Sequence, residues 1–400
     1  MTTKLKFIDL FAGVGGFHEA MKLHGDCVFA SEWDENAAKT YELNHRESPE
    51  QFQIAGDITK VKLWDMPDFD VLCGGFPCQG FSIAGTQKGF QHKSGHLFFE
   101  IMRIVEFKKP SVILLENVPR LVTLEDGRTM ETIWENLVMK AGYKFKHFIF
   151  NAKTHGNLPQ NRERVFIIGF REQSMFDAFQ EPEAVPLTKK LFGDCVNNID
   201  KAPGKYYQVN MNSRPVQQMH EKVTDPSRTY QSRRKTVRPN RPGICPCLMA
   251  NMGTGGNNVP LIKDDFGIRK LTPRECFNLQ GFPADFQFPE GMADSHLYKM
   301  AGNSIPIGVV SRLTESIAKT FHYKGFGFTG KFQLVNALQG NGFIDVHYFD
   351  WKTHEYKKIS TCKSIENANA FIATTKALRE IGIITGDEWT DFQEQIEKEE

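Results

Sequence analysis

The chain has no Cys-x-x-Cys pair, no histidine cluster beside its eight cysteines, no apolar run of membrane-spanning length and no internal repeat. The first two absences argue against a zinc site, since structural zinc takes paired thiolates or imidazoles. Cys245-Pro-Cys247 is too tightly spaced for the usual ligand pair and reads as structural. The third argues against a spanning helix. The opening MTTKLKFIDLF, interrupted by Asp9, reads as a first strand rather than a signal peptide. Scattered thiols fit a reducing cytosol. Net charge is nearly absent too, at +1, so any polyanion contact must be local. A candidate is Arg228 to Arg241, which holds Arg233, Arg234, Lys235 and Arg238 and no acid. A solvated loop would have the same composition. Asp387 to Glu400, by contrast, carries seven acids against the single base Lys398.

Four hundred residues suggest two or three domains. The first 170 or so alternate strand-like and helix-like segments. Strand candidates are KFIDLFA (6–12), CVFASEW (27–33), QIAGDI (53–58), FDVLCGG (69–75), SVILLENV (111–118), KFKHFIF and RVFIIGF. Helix candidates are Phe17 to His24, DENAAKTYELN, HLFFEIMRIVEF (96–107) and a segment near 129–141. This alternation predicts a mostly parallel, doubly wound α/β sheet with helices on both faces. From about 172 to 260 the rhythm breaks into a loop-rich stretch heavy in Pro, Asn, Gln, Arg and Gly. Order returns at RKLTPRECFNLQGFP (269–283), where Thr272 is placed to cap a helix opening at Pro273. After Gly325, GFIDVHYFDW and HEYKKIS suit a hairpin and ENANAFIATTKALREIG a helix, an α+β appendage.

Several groups gather where strands should end. DLFAGVGGF (9–17) lets backbone approach a ligand. Counting from Gly13, His18 stands where a dinucleotide fingerprint needs its third glycine, which opposes a nicotinamide dehydrogenase. Glu32 and Asp57 end the next two strand candidates. Acids there can accept from a ribose diol and an adenine amino group, so a nucleoside-containing cofactor is favoured. Cys78, in GGFPCQGFS (74–82), follows a strand on a glycine-bounded loop. A thiol is nucleophilic even when only a few per cent ionised. Arg162 and Arg164 of QNRER are candidate activators. Glu116 closes the run VILLE, where desolvation would let it hold a proton. Alone it fits a cap or an ion pair equally well.

In order along the chain, DLFAGVGGF, GGFPCQGFS, ENV (116–118), QNRERVFIIG (160–169), RKLTPRECFNLQGFP and YKMAGNSIPIGVV (298–310) resemble the motifs of the cytosine-5 DNA methyltransferases. The resemblance runs from residue 6 to about 315. It implies a Rossmann-like catalytic domain in 1–184 and 269–324, a target-recognition domain in 185–268, and an extension of open role in 325–400. It implies S-adenosyl-L-methionine as cofactor, leaving as S-adenosyl-L-homocysteine. Phe11, Gly13, Gly15, Glu32, Trp33, Asp57, Ile58, Pro77, Asn303 and Ser304 would hold it. Cys78 would attack carbon 6 of a flipped cytosine. Glu116 would act at ring nitrogen 3 and Arg164 at the ring carbonyl, with Arg162 orienting the nucleophile loop. The 78–95 loop would close over the base. Gln79, Ser82, Tyr230, Gln231, Arg233, Arg234 and Arg238 would contact DNA. The partners implied are double-stranded DNA and, functionally, a restriction endonuclease, for a cytoplasmic, nucleoid-associated monomer without a membrane. A tRNA methylase of the same family and a noncatalytic DNA-binding regulator are the alternatives.

Overall fold

The computed structural model describes residues 4–46, 54–76, 96–207, 221–233, 236–253, 259–325, 332–336, 344–350 and 355–362. It opens with β1 (Leu5–Leu10), α1 (Gly16–Met21), β2 (Gly25–Ser31), α2 (Glu35–His45), β3 (Val71–Gly75), α3 (His96–Lys108) and β4 (Val112–Asn117). Then come β5 (Lys144–Asn151), the two-residue β6 (Gln160–Asn161) and β7 (Glu163–Phe170).

Six of these strands form one sheet in the order β2-β1-β3-β4-β7-β5. β2, β1, β3 and β4 run parallel, and β7 lies antiparallel between β4 and β5. The chain steps from β1 to β2 on one side and returns to β3 on the other. Ligands of open α/β sheets bind at such a switch, outside the carboxyl ends of the strands. Register keeps those ends level: Leu10 pairs with Ser31 and with Gly74, and Gly75 pairs with Glu116.

Alternation within β1 divides the core. Ile8 and Leu10 join Leu72, Ile113 and Leu115 in a cluster with Phe98, Ile101 and Val105 of α3. Phe7 meets His18 of α1 edge-on at 5.5 Å on the opposite side. β4 is buried along its whole length, as a strand covered on both faces must be. The doubly wound sheet anticipated from the alternation is therefore present.

QIAGDI does not form the expected third strand. Ala55 makes a single parallel bridge with Ser31, and Asp57 then caps a short 3-10 turn, Ile58–Lys60. Its carboxylate accepts from the Thr59 amide at 3.0 Å and hydroxyl at 2.7 Å. A short acid that bonds its own downstream backbone competes with strand pairing. The helix near 129–141 is α-helical over Arg128–Trp134 and widens to a π-turn over Glu135–Lys140.

In the loop-rich region, β8 (Tyr230–Arg233) and β9 (Thr236–Pro239) form a hairpin, and β10 (Cys245–Pro246) pairs with β6. β11 (Leu261–Asp264) and β12 (Gly267–Lys270) complete a four-stranded sheet in the order β12-β11-β8-β9. Its core is Val223, Tyr230, Val237 and Leu261. The helix Pro273–Gln280 starts as expected: Thr272 accepts from the Glu275 amide at 3.2 Å, and Glu275 accepts from the Thr272 amide at 2.7 Å. This is the reciprocal capping box. Arg269, fully buried, donates to Asp264 at 2.8 Å, to both Glu275 oxygens at 2.9 and 2.8 Å, and to the Asn197 carbonyl at 2.7 Å. That cluster fastens the β11–β12 hairpin to the capped helix.

Helices Asp294–Asn303 and Ile307–Gly325 follow. Contacts divide the chain into two compact units, one of Met1–Glu172 with Gln180–Ile317, the other of Gln173–Phe179 with Ala318–Glu400. In the second, β13 (Phe332–Asn336), β14 (Ile344–Asp350) and β15 (Glu355–Cys362) form an antiparallel meander. The expected hairpin is its β14–β15 pair. The expected helix over ENANAFIATTKALREIG lies outside the described residues.

Candidate active site

After β1 the backbone turns through Phe11, Gly13 and Gly15, all at positive φ (55°, 57° and 89°). A Cβ at Gly15 would stand 2.1 Å from Nε2 of His45, so glycine is required by both dihedral and space. His45 supports this loop from α2. Its Nε2 donates to the Val14 carbonyl at 3.0 Å, and its Nδ1 lies 3.5 Å from Glu19. His18 stacks on it at 4.4 Å and hydrogen-bonds Tyr41 at 2.7 Å. Burial holds both imidazoles neutral, with pKa values lowered to about 4 for His45 and about 3 for His18.

Glu32 stands just past β2. One oxygen accepts from the Gly13 amide and the other from the Asp34 amide, each at 2.8 Å. Burial raises its pKa and these amides oppose the rise. A Cβ at Gly13 would meet nothing within 4 Å, so this part of the loop faces open space. Trp33 is 83% exposed. The turn after the helix Asp294–Asn303 approaches from the other side: a Cβ at Gly16 would stand 2.6 Å from Ile305 and 3.3 Å from the Ser304 hydroxyl. Among the described residues the buried Ser304 hydroxyl has no hydrogen-bond partner, and Asn303 is exposed. Ile58 is buried in the core beneath α3 and Phe11 packs partly against that core, while Asp57 is engaged as a cap.

At the next strand ends, Arg164 Nε donates to Glu116 Oε1 at 2.8 Å, with both side chains nearly buried. The other Glu116 oxygen faces Gly75, where a Cβ would sit 3.4 Å away. Burial raises the Glu116 pKa, opposed first by Arg164 and then by Arg162. Asn117 donates to the Phe76 carbonyl at 2.8 Å and fastens β4 to the last described residue before Pro77. Pro77, Cys78, Gln79, Ser82 and the rest of residues 77–95, including those expected to close over the base, lie outside the described residues.

Arg162 is fully buried. Its Nη1 donates to the Leu248 carbonyl at 2.8 Å and to Cys247 Sγ at 3.4 Å; Nη2 donates to the Gly302 carbonyl at 3.0 Å and to that of Ser304. Burial, then the nearby Arg164, push its pKa down to about 10. Gln160 was not singled out from the sequence. It is fully buried and accepts from the Leu248 amide at 3.1 Å. The signal was there: Gln160, Arg162 and Arg164 alternate along one extended segment, the period that puts side chains on one face.

Of the expected DNA contacts, Gln231 and Arg238 sit opposite each other on β8 and β9, with Arg238 exposed. Tyr230 corrects the expectation. It is 1% exposed within the small core, accepts from the Asp225 amide at 2.8 Å and donates to the Asp225 carbonyl at 3.2 Å. A ring with its hydroxyl so engaged is a packing residue. Arg234 and the Arg233 side chain lie outside the described residues. Among the described residues, no acid, histidine and cysteine group could hold a metal, and no helix is long and apolar enough to cross a membrane.

The sequence pattern of the family described as C-5 cytosine-specific DNA methylase matches residues 5–319. The type II methyltransferase M.Bsp6I of Bacillus sp. (strain RFL6) is 47% identical over 319 residues, covering 79% of this chain and 99% of that protein. M.HhaI of Haemophilus parahaemolyticus is 35% identical over 343 residues, covering 81% and 97%. The crystal structure of S. pombe Dnmt2 methyltransferase shares the fold, with TM-score 0.59 and 19% identity over 81% of this chain and 100% of that one. The chain therefore belongs to the C-5 cytosine-specific DNA methylase family.

Proposed function

We propose that this methylase transfers a methyl group from S-adenosyl-L-methionine to carbon 5 of a cytosine flipped out of duplex DNA, through a transient bond to Cys78. The observation that carries the reading is the Arg164–Glu116 pair at 2.8 Å, level with the glycine loop at the sheet's switch point. The reaction needs a proton-holding group beside the base and a nucleoside site within reach of it.

The residues fit the cofactor. Among the described residues the Gly13 turn is open and the buried Ser304 hydroxyl has no partner, while Glu32 is pinned by two amides yet keeps lone pairs. Glu32 would accept from the ribose diol. Phe11, Trp33, Asp57 and Ile58 would surround the adenine, with Pro77, Gly15, Asn303 and Ser304 around the rest. The cofactor supplies an electrophilic methyl on a sulfonium.

Carbon 5 of cytosine is a poor nucleophile. Cys78, as thiolate, adds to carbon 6 while Glu116 places a proton at ring nitrogen 3, so the electron pair collects at carbon 5. Arg164 keeps Glu116 oriented and holds the ring carbonyl oxygen. Once carbon 5 carries the methyl, release of its proton to water, expulsion of the Cys78 sulfur as thiolate and return of the nitrogen 3 proton to Glu116 restore the aromatic ring. Flipping costs a few kcal/mol, met by contacts from residues 185–268, where Gln231 and Arg238 present polar groups. The type II names of the relatives support a place beside a restriction endonuclease, and their bacterial sources support a cytoplasmic protein. Bisulfite sequencing of DNA from cells expressing the chain tests the reading. Methylation at one sequence context supports it, and none refutes it.

A further inference from the structure

We infer that Arg162 is a positioning residue, a strut joining the recognition segment around Leu248 to the Gly302–Ser304 turn, so that DNA binding and cofactor binding are coupled through one guanidinium. This rests on the methylase reading above, with Ser304 facing the cofactor and the region of Leu248 serving DNA.

Three carbonyls from two distant segments, Leu248, Gly302 and Ser304, converge on the Arg162 fork. Gln160 takes the Leu248 amide, so both sides of that residue are gripped from one strand face. Gln280 donates to the Ala301 carbonyl at 2.6 Å and accepts from Gln160 at 3.3 Å, closing the network onto the same helix end. The two segments touch directly as well: a Cβ at Gly302 would stand 2.3 Å from the Met249 carbonyl. Backbone in such contact moves together. A planar, always-charged fork can hold divergent acceptors in one geometry, which an ammonium cannot. The far side of the turn carries the Ser304 hydroxyl, without a partner among the described residues, toward Gly16. A displacement of the Leu248 segment by DNA therefore reaches the cofactor side without an intermediate element.

The test uses the full chain, titrated with S-adenosyl-L-homocysteine with and without unmethylated plasmid DNA at fixed salt. The wild type should bind more tightly with DNA, within the roughly 5–150-fold range usual for coupled sites, and DNA affinity should change by the same factor. Arg162→Lys should bring that factor close to one. Gly302→Ala, which leaves the guanidinium in place but prises apart the two segments that supply its carbonyl partners, should do the same and serves if the lysine variant does not fold. A wild-type factor retained in either folded variant overturns the strut, even if both affinities fall in parallel, as for a merely structural residue. A wild-type factor of one with both ligands bound overturns it alone. A wild type that binds neither ligand sinks the methylase reading beneath it.

Discussion

Glu116 Oε1 accepts from Arg164 Nε at 2.8 Å, although burial drives the Glu116 carboxyl toward its protonated form. The two influences oppose each other and leave the acid able to share a proton while held in place. Removing it without changing its shape isolates that ability. Glu116→Gln should lower the methyl-transfer rate by about a hundred- to ten-thousandfold, the usual worth of a positioned acid or base. Single-turnover transfer of tritiated methyl to DNA measures this.

The same shift sets a pH dependence. A raised pKa means the useful proton is present below it and lost as pH rises through it. On the proposed mechanism Cys78 must act as a thiolate and has the opposite requirement, so the rate should be bell-shaped, with limbs belonging to the site as a whole. In Glu116→Gln the fall at high pH should flatten, read from kcat/KM profiles.

The glycine loop has its own test. Gly15→Ala must place a methyl at φ 89° and 2.1 Å from His45. Strain of this kind costs about 1–3 kcal/mol, and the loop can relieve it only by leaving the Val14–His45 hydrogen bond. Loss of both melting temperature and S-adenosyl-L-homocysteine affinity is expected, by calorimetry of each.

His18 and His45 make the fold acid-sensitive. Their folded pKa values lie below the unfolded 6.5, at about 3 and about 4. Their stabilisation is fully present above about 6.5 and is lost as pH falls toward those folded values. Between these limits the unfolded chain binds more protons, so stability rises with pH. Each should lose ~2 kcal/mol between pH 6.5 and 5. Glu19, Lys22 and Tyr41 face the pair. His45→Gln, which can still donate to Val14, should remove about half of this dependence in urea melts at the two pH values.

Arg269 tests how the β11–β12 hairpin is held to the helix Pro273–Gln280. Arg269→Met leaves Asp264 and Glu275 buried without their cation. Breaking a buried pair from one side costs about 3–5 kcal/mol, and urea denaturation should show a loss of that size.

Much of this was legible in the chain. Strand ends gather function in open α/β sheets, so Glu32, Glu116 and the glycine turn could be placed by finding where apolar runs stop. Thr272 announced its helix because a cap is a local device. What the sequence did not show was non-local. Tyr230 sits among arginines in sequence, yet the pleat turns it inward toward Leu261 and Val237. Arg162 resembles Arg164 two residues away, but its partners come from residues 248 and 302–304, which no local pattern connects. QIAGDI has strand composition, and Asp57 diverts it by capping its own backbone.

The central claim is the bond from Cys78 to carbon 6 of the base. A duplex carrying 5-fluorocytosine in the methylated context, incubated with the protein and S-adenosyl-L-methionine, cannot lose fluorine as it would a proton and so retains the adduct. Mass spectrometry of the digested complex should find the nucleotide on the peptide containing Cys78. A base attached to any other residue, or no attachment while an ordinary duplex is methylated, would contradict the account.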